Sequence, residues 1–190
     1  MQTAHELYIH ELTDMLSAEQ QLVEALAEQA ENASNAQLKK AIETHRTQTE
    51  KQVERLQRCF QEIGEEPEET ECKGIKGLIE EYKSFAEEED PSEDILDHFT
   101  CSAAAKVEQY EIKAYEGLIE LAESMEHTQA VRLLNQSLKE EQATLEKMER
   151  FGEKLQPENL GMEEMEEEET EAPRKSASKS RSRSRSRKAA

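Results

Sequence analysis

Leu12-Thr13-Asp14-Met15-Leu16-Ser17-Ala18-Glu19-Gln20-Gln21-Leu22-Val23-Glu24-Ala25-Leu26 carries the decisive pattern of this 190-residue chain. Leu12, Met15, Leu22 and Leu26 recur at steps of three and four, the spacing that gathers side chains on one helix face. Glu19 falls in the middle of that face, while Tyr8, Asp14 and Gln21 fall away from it. A carboxylate among leucines costs free energy unless it is paired or holds a metal. The same oddity recurs on later helical segments. Glu111 interrupts Val107, Ala114 and Leu118, with Glu108 three residues before it, and Glu141 interrupts Leu134, Leu138 and Met148. The intervening helix sets His45, Gln48 and Gln52 among Leu38, Ile42 and Leu56. Carboxylates converging from several helices are how four-helix bundles build di-metal sites.

Composition supports an all-α domain. Apolar residues make up 35%, glycine and proline number six and four, and tryptophan is absent. No segment alternates as strands do. The formal net charge is −20, and residues 1–157, with 36 acidic and 16 basic side chains, account for all of it. An acidic body of this kind repels nucleic acid backbones and anionic membranes, and it suits high salt, where self-repulsion is screened. Cys59, Cys72 and Cys101 form no CxxC pair and leave an odd count, which points to a reducing compartment. No apolar run approaches a membrane span and no basic-then-apolar leader is present. The expectation is a cytoplasmic protein that does not engage membranes.

Element boundaries follow from capping residues. Thr3 and Glu6 make a capping box for a first helix from about Ala4 to Glu31. Ser34 with Gln37 reads as a second, for a helix that ends at Ile63 before Gly64. A long connection follows, with a short helix from about Ile75 to Glu88, closed by Asp90 and Pro91. The third long helix begins after Ser92 and reaches about Ser124, and the fourth runs from near Thr128, read as its N-cap, to about Leu155. A connection as long as 64–91 can cross the bundle, the ferritin-like route, so the fold expected is a ferritin-like four-helix bundle over residues 1–156. The two hairpins also align on each other. A slide of 93 residues sets Gln48 on Glu141 and Gln52 on Leu145, while a slide of 92 sets Glu19 on Glu111.

Beyond Pro157 the composition changes to an acidic block and then to Arg181-Ser182-Arg183-Ser184-Arg185-Ser186-Arg187-Lys188. Such a 157–190 tail buries too little apolar surface to fold and reads as disordered. It reads first as a solubilising or electrostatically self-associating tail, with RNA contact or a peptide partner as alternatives and its Arg-Ser repeats open to phosphorylation. Nucleic acid contact is expected through this tail or not at all.

The candidate metal ligands are Glu19, Glu108, Glu111 and Glu141, with His45, Gln48 and Gln52 on the second helix. Glu140 is expected to face outward. Hard carboxylate oxygens with an imidazole suit iron or manganese. Four glutamates provide for one such ion; a second needs water or His45, because glutamine brings no charge. Tyr110 and Tyr115 are candidates for nearby electron donors or, equally, for core packing.

Five segments in order resemble the YciE/YciF-like family of the ferritin-like superfamily: Ser17 to Leu22, His45 to Leu56, Cys72 to Glu81, Ala105 to Ile112 and Leu138 to Glu141. The resemblance spans about residues 3–155. It implies a ferritin-like bundle, a homodimer and a stress-associated protein of undefined activity, and the acidity is similar to that of versions from salt-loving organisms. It matches Glu19, Glu108, Glu111 and Glu141 to the family's interior acids. It also marks Gln48, Gln52 and Leu145 as departures, at places where the family carries acids or a histidine. The functional expectation is therefore a stress-associated protein with a carboxylate metal site, holding a reduced complement of metal or none. The alternative is a non-enzymatic helical oligomerisation or interaction protein without metal.

Overall fold

The computed structural model describes residues 1–155; the acidic and Arg/Ser-rich tail lies outside the described residues. Five helices follow in order: α1 (Ala4–Asn32), α2 (Ala36–Ile63), α3 (Lys73–Glu88), α4 (Glu93–Ser124) and α5 (Thr128–Lys154). The four long helices form the bundle and α3 is the insert in the connection. No helix among the described residues is long and apolar enough to cross a membrane.

α1 begins with the expected capping box between Thr3 and Glu6. α2 ends at Gly64, whose φ of 72° is the left-handed conformation that glycine adopts without Cβ strain. Two caps differ from the sequence reading. Asn35, not Ser34, caps α2, accepting from the amides of Gln37 and Leu38. Ser34 is drawn instead to Asp97 at the start of α4, donating from both its backbone amide and its hydroxyl. His127 holds the cap position of α5, so Thr128 is the first residue inside the helix.

α1 and α2 pack as one hairpin and α4 and α5 as the other, with α1 against α4 and α2 against α5 closing the ring. Two contacts fix direction. The turn after α1 meets the start of α4 through Asp97, and the start of α1 meets the start of α5 where Tyr8 stacks on His127 at 5.7 Å. α4 therefore runs parallel to α2, and the residues between them must travel back along the bundle. α3 makes that return, packed on α1 and α4. Gly74 permits it, since a Cβ there would meet the Tyr110 ring at 2.6–2.8 Å. Tyr8, set aside in the sequence reading, stands four residues before Leu12 and so continues the same stripe; it is fully buried at this end, against His127.

Cys59, Cys72 and Cys101 are all free and buried. Burial pushes the Cys59 and Cys101 thiols up to about 12, so both stay protonated packing residues.

Asp97 is 1% exposed and accepts from Ser34 twice, at 3.0 and 2.6 Å, and from the Asn35 amide at 2.7 Å. It fastens the turn of the first hairpin to the start of the second. An Asp97→Ala variant strands these buried donors and is expected to lose about 2–4 kcal/mol of stability, read from urea unfolding; a loss within about 0.5 kcal/mol would mean water replaces the clamp.

Candidate metal centre

His45 from α2, Glu108 and Glu111 from α4, and Glu141 from α5 each place one ligand-type atom within 4.8 Å of the others. All four are between 0 and 2% exposed. The i, i+3 spacing of Glu108 and Glu111 presents two carboxylates from a single turn of α4. His45 stands between two helices: its Nδ1 lies 3.4 Å from a Glu108 oxygen and its Nε2 3.6 Å from Glu141 Oε2. Neither approach completes a hydrogen bond. Both His45 nitrogens, both oxygens of Glu108 and Glu111, and Oε2 of Glu141 consequently have no hydrogen-bond partner among the described residues.

Glu19 completes the ring of four helices from α1. It is fully buried, and its Oε1 accepts from the Tyr115 hydroxyl while Oε2 has no partner. Glu19 stands outside the four-residue group but within electrostatic reach of it. Burial, reinforced by neighbouring carboxylates, pushes Glu19, Glu108 and Glu111 well above the ordinary glutamate range. Burial and the charge of Glu19 push the Tyr115 phenol up in the same way, so it remains a donor.

The glutamines of α2 separate. Gln52 is fully buried and donates its amide nitrogen to Glu141 Oε1 and, at 3.2 Å, to Glu140 Oε2. Gln48 is only half-buried, and the adjacent Thr49 takes the interior place, with its hydroxyl donating to the His45 carbonyl at 3.2 Å. The slide of 92 that sets Glu19 on Glu111 serves the second helices as well. It sets Ile42 on Leu134, Thr49 on Glu141 and Leu56 on Met148, every one of them buried. A single slide therefore serves both hairpins, and the counterpart of Glu141 is Thr49, not Gln48. Leu145, like Gln48, sits half-buried beside the interior face.

Glu140 does not simply face outward. Arg55 grips it through both guanidinium nitrogens, at 2.6 and 2.9 Å, and also reaches Ser137 at 3.2 Å. Sequence spacing alone does not single out Arg55; the available signal is a cation three residues beyond Gln52, at the edge of the same face. Tyr110 points away from Glu19, its hydroxyl 3.3 Å from the Cys72 sulfur and 3.4 Å from Asp14.

Buried acids and an imidazole with unsatisfied lone pairs, gathered on the bundle axis, fit a divalent cation. Oxygen-rich donors with one nitrogen suit first-row ions such as iron and manganese.

Comparison with known proteins agrees with this fold. The model of a domain of unknown function, DUF892, matches residues 3–161. Protein YciF of Escherichia coli strain K12 is 38% identical over 145 residues, covering 76% of this chain and 87% of that protein. The crystal structure of the E. coli stress protein YciF superposes with a TM-score of 0.78 at 35% identity, covering 82% of this chain and 98% of that one. YcfI from Rhodopseudomonas palustris gives a TM-score of 0.75 at 38% identity, covering 78% and 94%.

The raised carboxyls set a pH dependence for the metal-free protein. Below the ordinary value of 4.5 these groups are neutral in folded and unfolded chains alike. Above it the unfolded chain releases protons that the folded chain retains, so stability falls as pH rises. Urea unfolding in the presence of a chelator should show a lower midpoint at pH 8 than at pH 5. Glu111→Gln should flatten that slope, and a midpoint that rises with pH would contradict it.

Proposed function

This chain belongs to the DUF892 family of YciE/YciF-like proteins in the ferritin-like superfamily, and on that premise we propose that its bundle binds a redox-active divalent ion, iron or manganese, as a stress-response protein. The observation that carries the reading is the set of buried, unpartnered donor atoms of His45, Glu108, Glu111 and Glu141. A protein interior does not leave this many acceptor lone pairs unmet without a cation or protons to meet them.

The residues have separable parts. Glu108, Glu111 and Glu141 bring anionic oxygens from two helices, and His45 brings a nitrogen from a third. Tyr115 holds one oxygen of Glu19 and leaves the other free on the α1 side. The surrounding burial keeps bulk water off the donors and strengthens their interaction with any charge placed among them. A bound ion of this type supplies Lewis acidity and a one-electron couple.

In this reading Gln48 stands aside from the cluster, Gln52 supports Glu141, and His45 stands among the carboxylates.

Protein purified without chelator and titrated with Mn²⁺ or Fe²⁺ should take up at least one ion per chain. Saturation at about 100 times Kd should raise its stability by about 2.7 kcal/mol. Glu108→Gln with Glu141→Gln should remove the uptake while the chain stays folded by circular dichroism. A folded wild-type protein whose unfolding ignores both ions would sink the metal reading and leave the helical interaction protein in its place.

A further inference from the structure

We infer that Gln52 serves the metal cluster as a positioning residue and not as a ligand, and that the Arg55–Glu140 pair fixes its orientation. The inference rests on the metal-binding reading above and assigns the part that α2 plays in it beyond His45.

The argument is one of donors and charges. The Gln52 amide nitrogen faces two carboxylates, Glu141 through Oε1 and Glu140 through Oε2 at 3.2 Å. An amide nitrogen has two hydrogens, and both are used here. Reversing the amide would set its carbonyl oxygen against two anions, so charge alone decides which end faces them. Glu140 is itself immobilised, gripped at 2.6 and 2.9 Å by an Arg55 that is 7% exposed and also bound to Ser137. The guanidinium fork matches the carboxylate plane and holds it in one orientation. The chain of contacts therefore runs from Arg55 through Glu140 and Gln52 to Glu141.

The consequence falls on Glu141. Its Oε1 is occupied by the amide, while Oε2, 3.6 Å from His45 Nε2, has no partner and faces the cluster donors. Glu141 thus presents a single free oxygen in a fixed rotamer. Glutamine is the residue type that does this neutrally. A glutamate at 52 would repel both neighbours, and a lysine would place a competing cation beside the donors. Groups that hydrogen-bond a metal's ligands typically control affinity by about 10–100-fold.

A cycle of variants titrated with Mn²⁺ alone tests the assignment, with free ion followed by its electron paramagnetic resonance signal. Gln52→Met should weaken Mn²⁺ binding by about 10–100-fold. Arg55→Met combined with Glu140→Met, which removes the pair without stranding a charge, should weaken it by about 10-fold at the low end of the same range. The triple variant should bind like Gln52→Met, because the pair acts through the amide. The zero-field splitting of bound Mn²⁺ should change in the same way in all three, a readout that loss of packing does not move. Losses that add in the triple variant, or full affinity in Gln52→Met, overturn the positioning role alone. A wild-type protein that takes up no Mn²⁺ overturns the metal reading and this role with it. Should the triple variant fail to fold, the Gln52 side-chain amide protons of the metal-free pair variant decide instead. Protection from exchange unchanged from wild type refutes control by Arg55 and Glu140, and its loss supports it.

Discussion

Four glutamate carboxylates and one imidazole share the dry axis of this bundle without a matching set of protein cations. Two like charges about 4 Å apart repel by about 4 kcal/mol at an effective dielectric constant of 20. Several such pairs together rival the whole stability of a domain, about 5–15 kcal/mol. The ionised cluster is therefore incompatible with the fold by itself. Either protons or a cation must neutralise it, and the upward displacement of Glu19, Glu108 and Glu111 is the protonic answer in the metal-free protein. The buried guanidinium among the described residues, Arg55, is committed to Glu140 and not to the cluster.

The scaffold is arranged around that tension. No single helix can bring these donors to one point: α2, α4 and α5 supply the four-residue group, and α1 sets Glu19 within electrostatic reach of it. The parallel relation of α2 and α4 follows from the return path of α3, which Gly74 opens beneath Tyr110. Asp97 then locks the two hairpins together at the end away from Tyr8 and His127. Neutral donors orient the acids: Tyr115 restrains Glu19 and Gln52 restrains Glu141. Each restrains an acid without adding charge, so the negative potential on the axis is kept for whatever neutralises it. This interior is costly to fold and gathers donors that could hold a metal ion.

Much of this was legible in the chain before any coordinates. The apolar periodicity of α1 and α2, the Thr3 capping box, Gly64 and the long span after it were enough for a ferritin-like bundle with an inserted helix. Glu19, Glu108, Glu111 and Glu141 stood out because a carboxylate in a leucine stripe has few structural excuses. Less legible were the ends, where Asn35 and His127 took the cap positions read for Ser34 and Thr128. Capping depends on competition for the hydroxyl, and Asp97, distant in sequence, won Ser34.

The sequence alone determined which helix faces are apolar and that acids interrupt them, because a repeat of 3.6 residues is a local property. It could not decide between Gln48 and Thr49. Steps of three and four from His45 both lie within the width of the face, and only the packing of α2 against α5 chooses one. Nor could it show that His45 stands between Glu108 and Glu141, that Arg55 holds Glu140, or that Gln52 offers nitrogen and not oxygen. Those are relations between side chains on different helices. They are set by how the helices cross and by which charges the crossing brings together, and only the tertiary structure contains that information.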